Sequence, residues 1–394
     1  MKQHKLVLAS VLKPVNETRM YEKFGLSLDQ TSKYEINIIG FYSKNLPSNN
    51  NITFHPIFHF PRISVKRIFK SYLYLKKLYQ IKPEIIIIST HELLLPTTIF
   101  KILFGCKVVY DIQENHFRNI LYTKHFPKLI RPLLAGYVRA KEYLTSPLVD
   151  HYFLAEKEYE NELHFGRQKR TVLENKYLPI SANKTTHFSH ENPSENLSKT
   201  EDVSPTKMGP KNRDEIQLIF SGTLAESTGV FDAIELAKSL HNIEPKVQLE
   251  IIGYSPVPDI VKRLKSAAQN HPFTTLIGGD ELVPHHVILD HISKADFGIV
   301  FYPANKSTVN SIPTKIYEYL GCTLPILLQP HPKWVELCER YSAHLVFTPN
   351  KTSPNDLMKA MKSSSFYVTT PGDEILWKSE ENKLIKMIDS IIHK

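Results

Sequence analysis

The chain is poor in cysteine: Cys106, Cys322 and Cys338 are the only three in 394 residues. They form no C-x-x-C pair and no zinc spacing, which excludes a disulfide-stapled scaffold and a cysteine-held structural metal. A sparse, odd set of this kind fits buried thiols in a reducing compartment. Long apolar runs are missing too, and no stretch approaches the roughly 20 residues of a membrane-spanning helix. Lys2 to Val11 has basic flanks and a short apolar run but no small-residue cleavage site, so it reads as a first β-strand rather than a secretion signal. No G-x-G-x-x-G follows that strand, which excludes a dinucleotide site of that kind. No Asp-x-Asp follows a strand, and His285 and His286 are adjacent, so on a helix they point apart. No metal and no cofactor are expected. The basic residues are spread out and form no recognised nucleic-acid module, so no nucleic acid is expected as a partner. These absences lead to the expectation of a cytoplasmic protein.

What is present is ordinary for a globular chain: 42% hydrophobic and 23% charged residues, long enough for two sizeable cores. The formal charge of +9 favours anionic partners, among them an acidic membrane surface or a sugar nucleotide. Pro61 to Tyr79 mixes basic and aromatic residues at helical spacing, and His116 to Arg139 continues that mixture through Phe117, Leu121, Lys124, Phe126, Lys128 and Arg131. Such faces suit either peripheral contact with an anionic membrane or a plain solvated helix side.

Hydrophobic periodicity divides the chain. Residues 1–180 alternate strand-like runs (Lys5–Val11, Tyr34–Gly40, Glu84–Ser89, Lys107–Tyr110, His151–Leu154) with helical stretches (Glu17–Gln30, Ser64–Gln80, Leu93–Phe104, a long region to about Thr145, and one from Glu156). Residues 181–214 are rich in Ser, Thr, Asn, Lys and Pro and read as a linker or mobile insertion. A second alternating set fills 215–371. Asp373–Ile392 reads as one amphipathic helix within a tail of 372–394. The expectation is an α/β chain of two doubly wound, Rossmann-like domains facing across a cleft, with ligands beyond the strand ends.

The richest segment is Ser311 to Ile326. Asn310 or Ser311 can cap a helix, Pro313 suits its first turn, and free amides there favour an anion. Lys315 and Glu318 share one face, as either a site or a plain surface pair. Gly321 can end the helix before a buried strand. In Pro313, Lys315, Glu318, Tyr319, Pro325 and Ile326 the segment resembles the "P-x-K-x-x-E-Y-x-x-x-G-x-P-I/V" signature of GT-B glycosyltransferases, of the retaining family-four or "glycosyl transferases group 1" type. Thr323 stands at the glycine position of that signature.

This resemblance implies a glycosyltransferase that moves a sugar from a nucleotide-sugar donor to a glycan or lipid-linked oligosaccharide acceptor. The setting is cell-surface polysaccharide synthesis, at the inner face of the cell membrane. It implies a hexosyl transfer of retaining type, no metal, and a last helix that crosses back to the N-terminal domain. Glu318 would hold ribose, with Asn310, Ser311, Gly222, Thr223, Gly253 and Tyr254 completing the donor side. Lys315 would act on the diphosphate, and His91 and Glu92, matching the end of "D-I-I-H-A-H-D", would face sugar and acceptor. Asp111 and Glu114 match "V-Y-D-x-H-E", with Gln113 in place of its histidine; Asp111 equally suits a helix cap or a buried acid. Arg19 follows a "P-x-D-x-T-R"-like loop, where it could meet a phosphate or simply lie exposed.

Three departures stand out. The usual Arg and Lys of the glycine loop are Thr223 and Thr228, and the first of the family's paired glutamates is Asn310. Losing a leaving-group cation costs rate, by analogy with an oxyanion donor, of roughly 10²–10³-fold. A non-catalytic nucleotide-sugar or carbohydrate-binding protein therefore stays open, as does a nucleotide-sugar 2-epimerase, although the acids and histidines of the latter are not found.

Overall fold

A computed structural model describes residues 3–44, 46–47, 49, 51–60, 69–122, 126–179, 215–303, 309–349 and 351–393. The expected linker 181–214, the start of the helix expected over Ser64–Gln80 and Lys124 lie outside the described residues. The chain divides into two compact units. Met1–Lys176, Ala304–Ser311 and Trp377–Lys394 make the first; Tyr177–Pro303 and Ile312–Leu376 make the second.

The first unit is built on seven parallel strands: β1 (His4–Pro14), β2 (Tyr34–Phe41), β3 (Ile52–Phe58), β4 (Ile85–Ile88), β5 (Lys107–Ile112), β6 (His151–Leu154) and β7 (Arg170–Val172). Their order is β3-β2-β1-β4-β5-β6-β7. The four isoleucines of β4 are all buried, as a strand covered on both faces requires. Its helices are α1 (Leu26–Asp29), α2 (Lys70–Ile81), α3 (Leu94–Phe104), α4 (His116–Tyr122), α5 (Arg131–Thr145) and α6 (Tyr159–Glu162). The crossovers from β3 to β4, β4 to β5 and β5 to β6 all step the same way across the sheet. Right-handed connections therefore lay α2, α3 and α5 side by side on one face, and α3 touches both α2 and α5.

The second unit holds β8 (Ile216–Thr223), β9 (Val247–Tyr254), β10 (Thr274–Gly279), β11 (Phe297–Val300), β12 (Ile326–Leu328) and β13 (His344–Val346), all parallel, in the order β10-β9-β8-β11-β12-β13. Its helices are α7 (Val230–His241), α8 (Pro258–Asn270), α9 (His285–Lys294), α10 (Thr314–Gly321), α11 (Pro332–Glu339) and α12 (Pro354–Ser363). Apolar clusters fill both sides of the sheet, one around Phe220, Ile251 and Ile299, the other around Ile252, Val300 and Tyr319. The strand order reverses direction between β8 and β11, the place where open sheets of this kind receive ligands.

The last helix, α13 (Lys378–Ile392), belongs to the first unit. Trp377 before it stacks on Phe24 with centroids 5.7 Å apart, and its Nε1 donates to Ser27 Oγ at 3.0 Å. Farther along, Asp389 accepts from the Tyr34 hydroxyl at 2.5 Å and Lys33 at 2.6 Å.

Several elements differ from the sequence reading. β3 was not expected because Pro56 interrupts its apolar run; proline is tolerated there because β3 is an edge strand. β7 is a three-residue edge strand with no pattern of its own. The long helical region to Thr145 is two helices, with Pro127 between them and Pro132 in the first turn of α5. The helix from Glu156 is the single turn α6. The tail is not one helix: Asp373–Ile375 is a separate turn, and Leu376 is extended and bridges to Tyr177 before α13 begins.

Candidate functional site

In the second unit β8 and β9 run in register to their ends, pairing Gly222 with Gly253 and Thr223 with Tyr254. Gly253 has φ +152, and a Cβ there would sit 1.8 Å from the Gly222 carbonyl oxygen. Its glycine thus serves the close packing of two strand ends. Gly229 closes the loop after β8 at φ +77, where a Cβ would meet the Phe301 carbonyl oxygen at 2.1 Å. Between them, Thr228 Oγ1 lies 2.8 Å from the Thr223 carbonyl oxygen and accepts the Ala225 N–H at 3.1 Å. The Thr228 hydroxyl clasps the turn, and the segment Gly222–Gly229 contains no lysine or arginine.

The helix α10 starts later than its sequence suggested. Pro313 is the capping position, with no side-chain cap, so neither Asn310 nor Ser311 caps it. Both belong to the first unit: Asn310 Nδ2 donates to Glu162 Oε1 at 2.9 Å, and Ser311 hydrogen-bonds the Tyr159 hydroxyl. Asn310 and Ser311, expected on the donor side, are thus held by a carboxylate and a phenol of the first unit. At the far end Gly321 is not the left-handed residue either. Its helical backbone is pressed on the Tyr177 ring, where a Cβ would come within 2.0 Å, and Thr323 turns the chain at φ +49.

One face of α10 carries the chemistry. Tyr319 anchors it, its hydroxyl 3.0 Å from Ser221 Oγ at the end of β8. Lys315 is 5% exposed, and among the described residues its Nζ has no hydrogen-bond partner. That Nζ lies 3.7 Å from the centroid of the Phe220 ring and 5.6 Å from that of Tyr302. Burial pulls the Lys315 ammonium down to about 7, although Glu318 opposes the shift. The Lys315 stem also reaches toward the loop, its Cε 4.0 Å from where a Gly222 Cβ would stand. One turn on, Glu318 Oε1 is 3.1 Å from His285 Nε2 at the start of α9. Gly222, Lys315, Glu318 and His285 thus come together at the switch point of the second sheet. A buried amine lacking an acceptor, beside an anchored carboxylate, suits an anionic ligand with hydroxyl groups.

In the first unit His91 and Glu92 follow β4 directly. His91 Nδ1 is 2.8 Å from Lys141 Nζ of α5, and its ring packs on His116 at 4.7 Å. Glu92 accepts from Lys70 Nζ at 2.7 Å. Burial, with help from Lys70, brings Lys141 down to about 8 against the pull of Glu92 and Glu142. Burial also lowers the His116 imidazole, more than Glu114 and Glu92 raise it. Glu114 is exposed and accepts from Asn119 Nδ2 at 2.8 Å.

Arg19 and Asp111, expected on the acceptor or phosphate side, lie buried against each other. Each is 1% exposed, and they pair with each other at 2.7 Å between Nη2 and Oδ1. Arg19 Nε also faces the Asp111 carboxylate, and Nη1 donates to the Leu173 carbonyl at 3.0 Å. Gln113 extends the network, donating to Asp111 Oδ2 at 2.7 Å and accepting from Lys13. All three Arg19 guanidinium nitrogens are thus engaged within the unit and the pair is covered, which suits the reading of Asp111 as a buried acid.

Sequence reasoning missed His285 as the partner of Glu318, and Lys141, His116 and Lys70 around His91 and Glu92. His285 had a signal, since it opens a helix just after a strand. Lys141 had none, lying mid-helix among residues that read as solvated. Among the described residues no group of three side chains could hold a metal ion.

The comparisons with known proteins bear on both units. The family model "Glycosyl transferases group 1" matches residues 206–365, less than half of the chain. No curated protein matches the sequence. Solved structures resemble it over nearly its full length at low identity. Anabaena HepE, in complex with UDP and glucose, gives a TM-score of 0.64 at 11% identity over 99% of this chain and 100% of that one. Sucrose-phosphate synthase from Thermosynechococcus elongatus gives 0.61 at 10% over 99% and 96%, and a glycosyltransferase from Rickettsia africae gives 0.55 at 9% over 100% and 97%. Residues 206–365 are thus similar to the glycosyl transferases group 1 family, and the chain has the two-sheet α/β fold of GT-B glycosyltransferases.

Proposed function

We propose that the protein transfers a hexosyl group, with retention, from a nucleotide-sugar donor to a glycan or lipid-linked oligosaccharide in cell-surface polysaccharide synthesis, working at the cytoplasmic face of a membrane. The observation that carries this reading is the buried Lys315 amine, which has no hydrogen-bond partner among the described residues, beside the His285-held Glu318 and against the Gly222 strand end. In this assignment Glu318 takes the ribose hydroxyls, Lys315 the diphosphate, and the Gly222–Thr223 amides the remaining phosphate oxygens. His91 and Glu92 take the acceptor side, with Lys141 positioning the His91 ring. HepE was solved with UDP-glucose as well as UDP, so UDP-glucose is the first donor to try.

Thr228 favours a second reading. Its hydroxyl is engaged within the turn and no cation replaces it in the loop, so a protein that binds the donor without turning it over has a specific basis. Radiolabelled UDP-glucose and membrane-extracted acceptors separate the two. Transfer of label to acceptor, lost in Lys315→Met, supports the enzyme. Saturable donor binding with no sugar released or transferred supports the binding protein.

A further inference from the structure

We infer that the outer face of the α2–α3–α5 layer of the first unit docks on an anionic lipid bilayer. A surface helix normally turns charged residues outward. On α3 every exposed residue is a large hydrophobe, including Leu95, Ile99, Ile102 and Leu103. The spacing of Leu95, Ile99 and Ile102 makes one stripe along the helix. Its only charged residue, Lys101, is neutralised by Asp150. On α5, too, no exposed residue is charged, and Leu133, Tyr137 and Leu144 project there at 76%, 58% and 78% exposure. In the second unit the exposed large hydrophobes (Ile243, Val257, Leu282, Val346 and Val368) come singly from separate elements. Scattered exposure needs no explanation, whereas two adjacent helices with uncharged outer faces do.

The charge distribution selects the occupant. Residues 61–145 carry 15 lysines and arginines against 5 acids, so this segment's +10 exceeds the whole chain's +9 and the remainder is nearly neutral. Lys76 of α2, Lys82 just beyond it and Lys128 just before α5 are exposed around the apolar helices. A second copy of the chain would bring this positive surface against itself, whereas an anionic bilayer is complementary to it. With 11 residues α3 is about 16 Å long, too short to span a bilayer and suited to lying in its interface. This inference rests on the proposed function only in that a lipid-linked acceptor gives such docking a use.

Flotation of the purified chain with phosphatidylcholine vesicles, with and without about 30% phosphatidylglycerol, tests it. Binding is expected to be at least about tenfold stronger with the anionic lipid and to weaken at roughly 0.5 M salt. The triple variant Ile102→Ser/Leu133→Ser/Leu144→Ser should lose at least about tenfold in binding, keeping its unfolding midpoint and its stabilisation by UDP. Val368→Ser, in the second unit, should bind vesicles as the parent does. Lys76→Glu/Lys128→Glu, which leaves the apolar stripe intact, should also weaken binding. No binding to anionic vesicles, binding by both multiple variants as strong as the parent's, or a lipid-free dimer dissolved by the triple variant would overturn the inference. UDP stabilisation is read separately, so failure here is distinguishable from failure of the donor site.

Discussion

At Lys315 burial outweighs attraction: Glu318 lies one turn away, yet the amine is held at about 7, below its ordinary 10.5. The sign of the resulting pH dependence follows. The cost of keeping this lysine protonated in the folded, unliganded protein is fully present below about 7 and shrinks as pH rises toward 10.5. Lys315→Met should therefore stabilise the unliganded protein at pH 7, by an amount of order a few kcal/mol, in urea denaturation. A diphosphate beside the amine should raise its pKa, so binding above pH 7 takes up a proton. Affinity should then fall by up to about tenfold per pH unit. Calorimetry in two buffers of different ionisation heat measures the uptake, which should vanish in Lys315→Met. Arg19 is the opposite case, a buried charge with its partners in place. Arg19→Met should cost about 3–5 kcal/mol by leaving Asp111 buried and unpaired. Stabilisation by UDP should persist in that variant; its loss would mean that Arg19 does reach the ligand.

At the level of elements, Thr323 shows how a turn survives an unfavourable residue. It adopts the left-handed backbone in which glycine is at ease, straight after α10 and before β12. Thr323→Gly removes strain of roughly 1–2 kcal/mol but adds freedom to the unfolded chain, so a net gain of up to ~1 kcal/mol is expected in thermal unfolding. A loss of stability would show that the threonine side chain contributes packing. This turn was only half legible in the sequence, since a glycine stands two residues away at Gly321. The alternating elements were readable because strands such as β4 are buried on both faces and helices such as α8 keep a polar side. β3 was not, because Pro56 breaks the pattern that makes a strand recognisable, and its edge position is a property of the sheet. The pairing of Glu318 with Lys315 on one helical face was legible from their spacing. The third partner, His285, comes from a helix 33 residues away and is placed only by the fold.

For the molecule as a whole, the central claim is that the second unit binds a nucleoside diphosphate sugar through α10 and the Gly222 strand end. The family match falls mainly on this unit, and likeness to solved structures at about a tenth identity establishes the fold alone. The claim therefore stands on the side chains. Titration of UDP and UDP-glucose by calorimetry, with thermal unfolding in parallel, tests it most directly. The account predicts binding and stabilisation of the parent chain, weakened about 10- to 100-fold in Glu318→Ala, whose loss removes charged hydrogen bonds to ribose. Glu318→Ala binding UDP as tightly as the parent, or no stabilisation by UDP, UDP-glucose or any other nucleoside diphosphate, would contradict it.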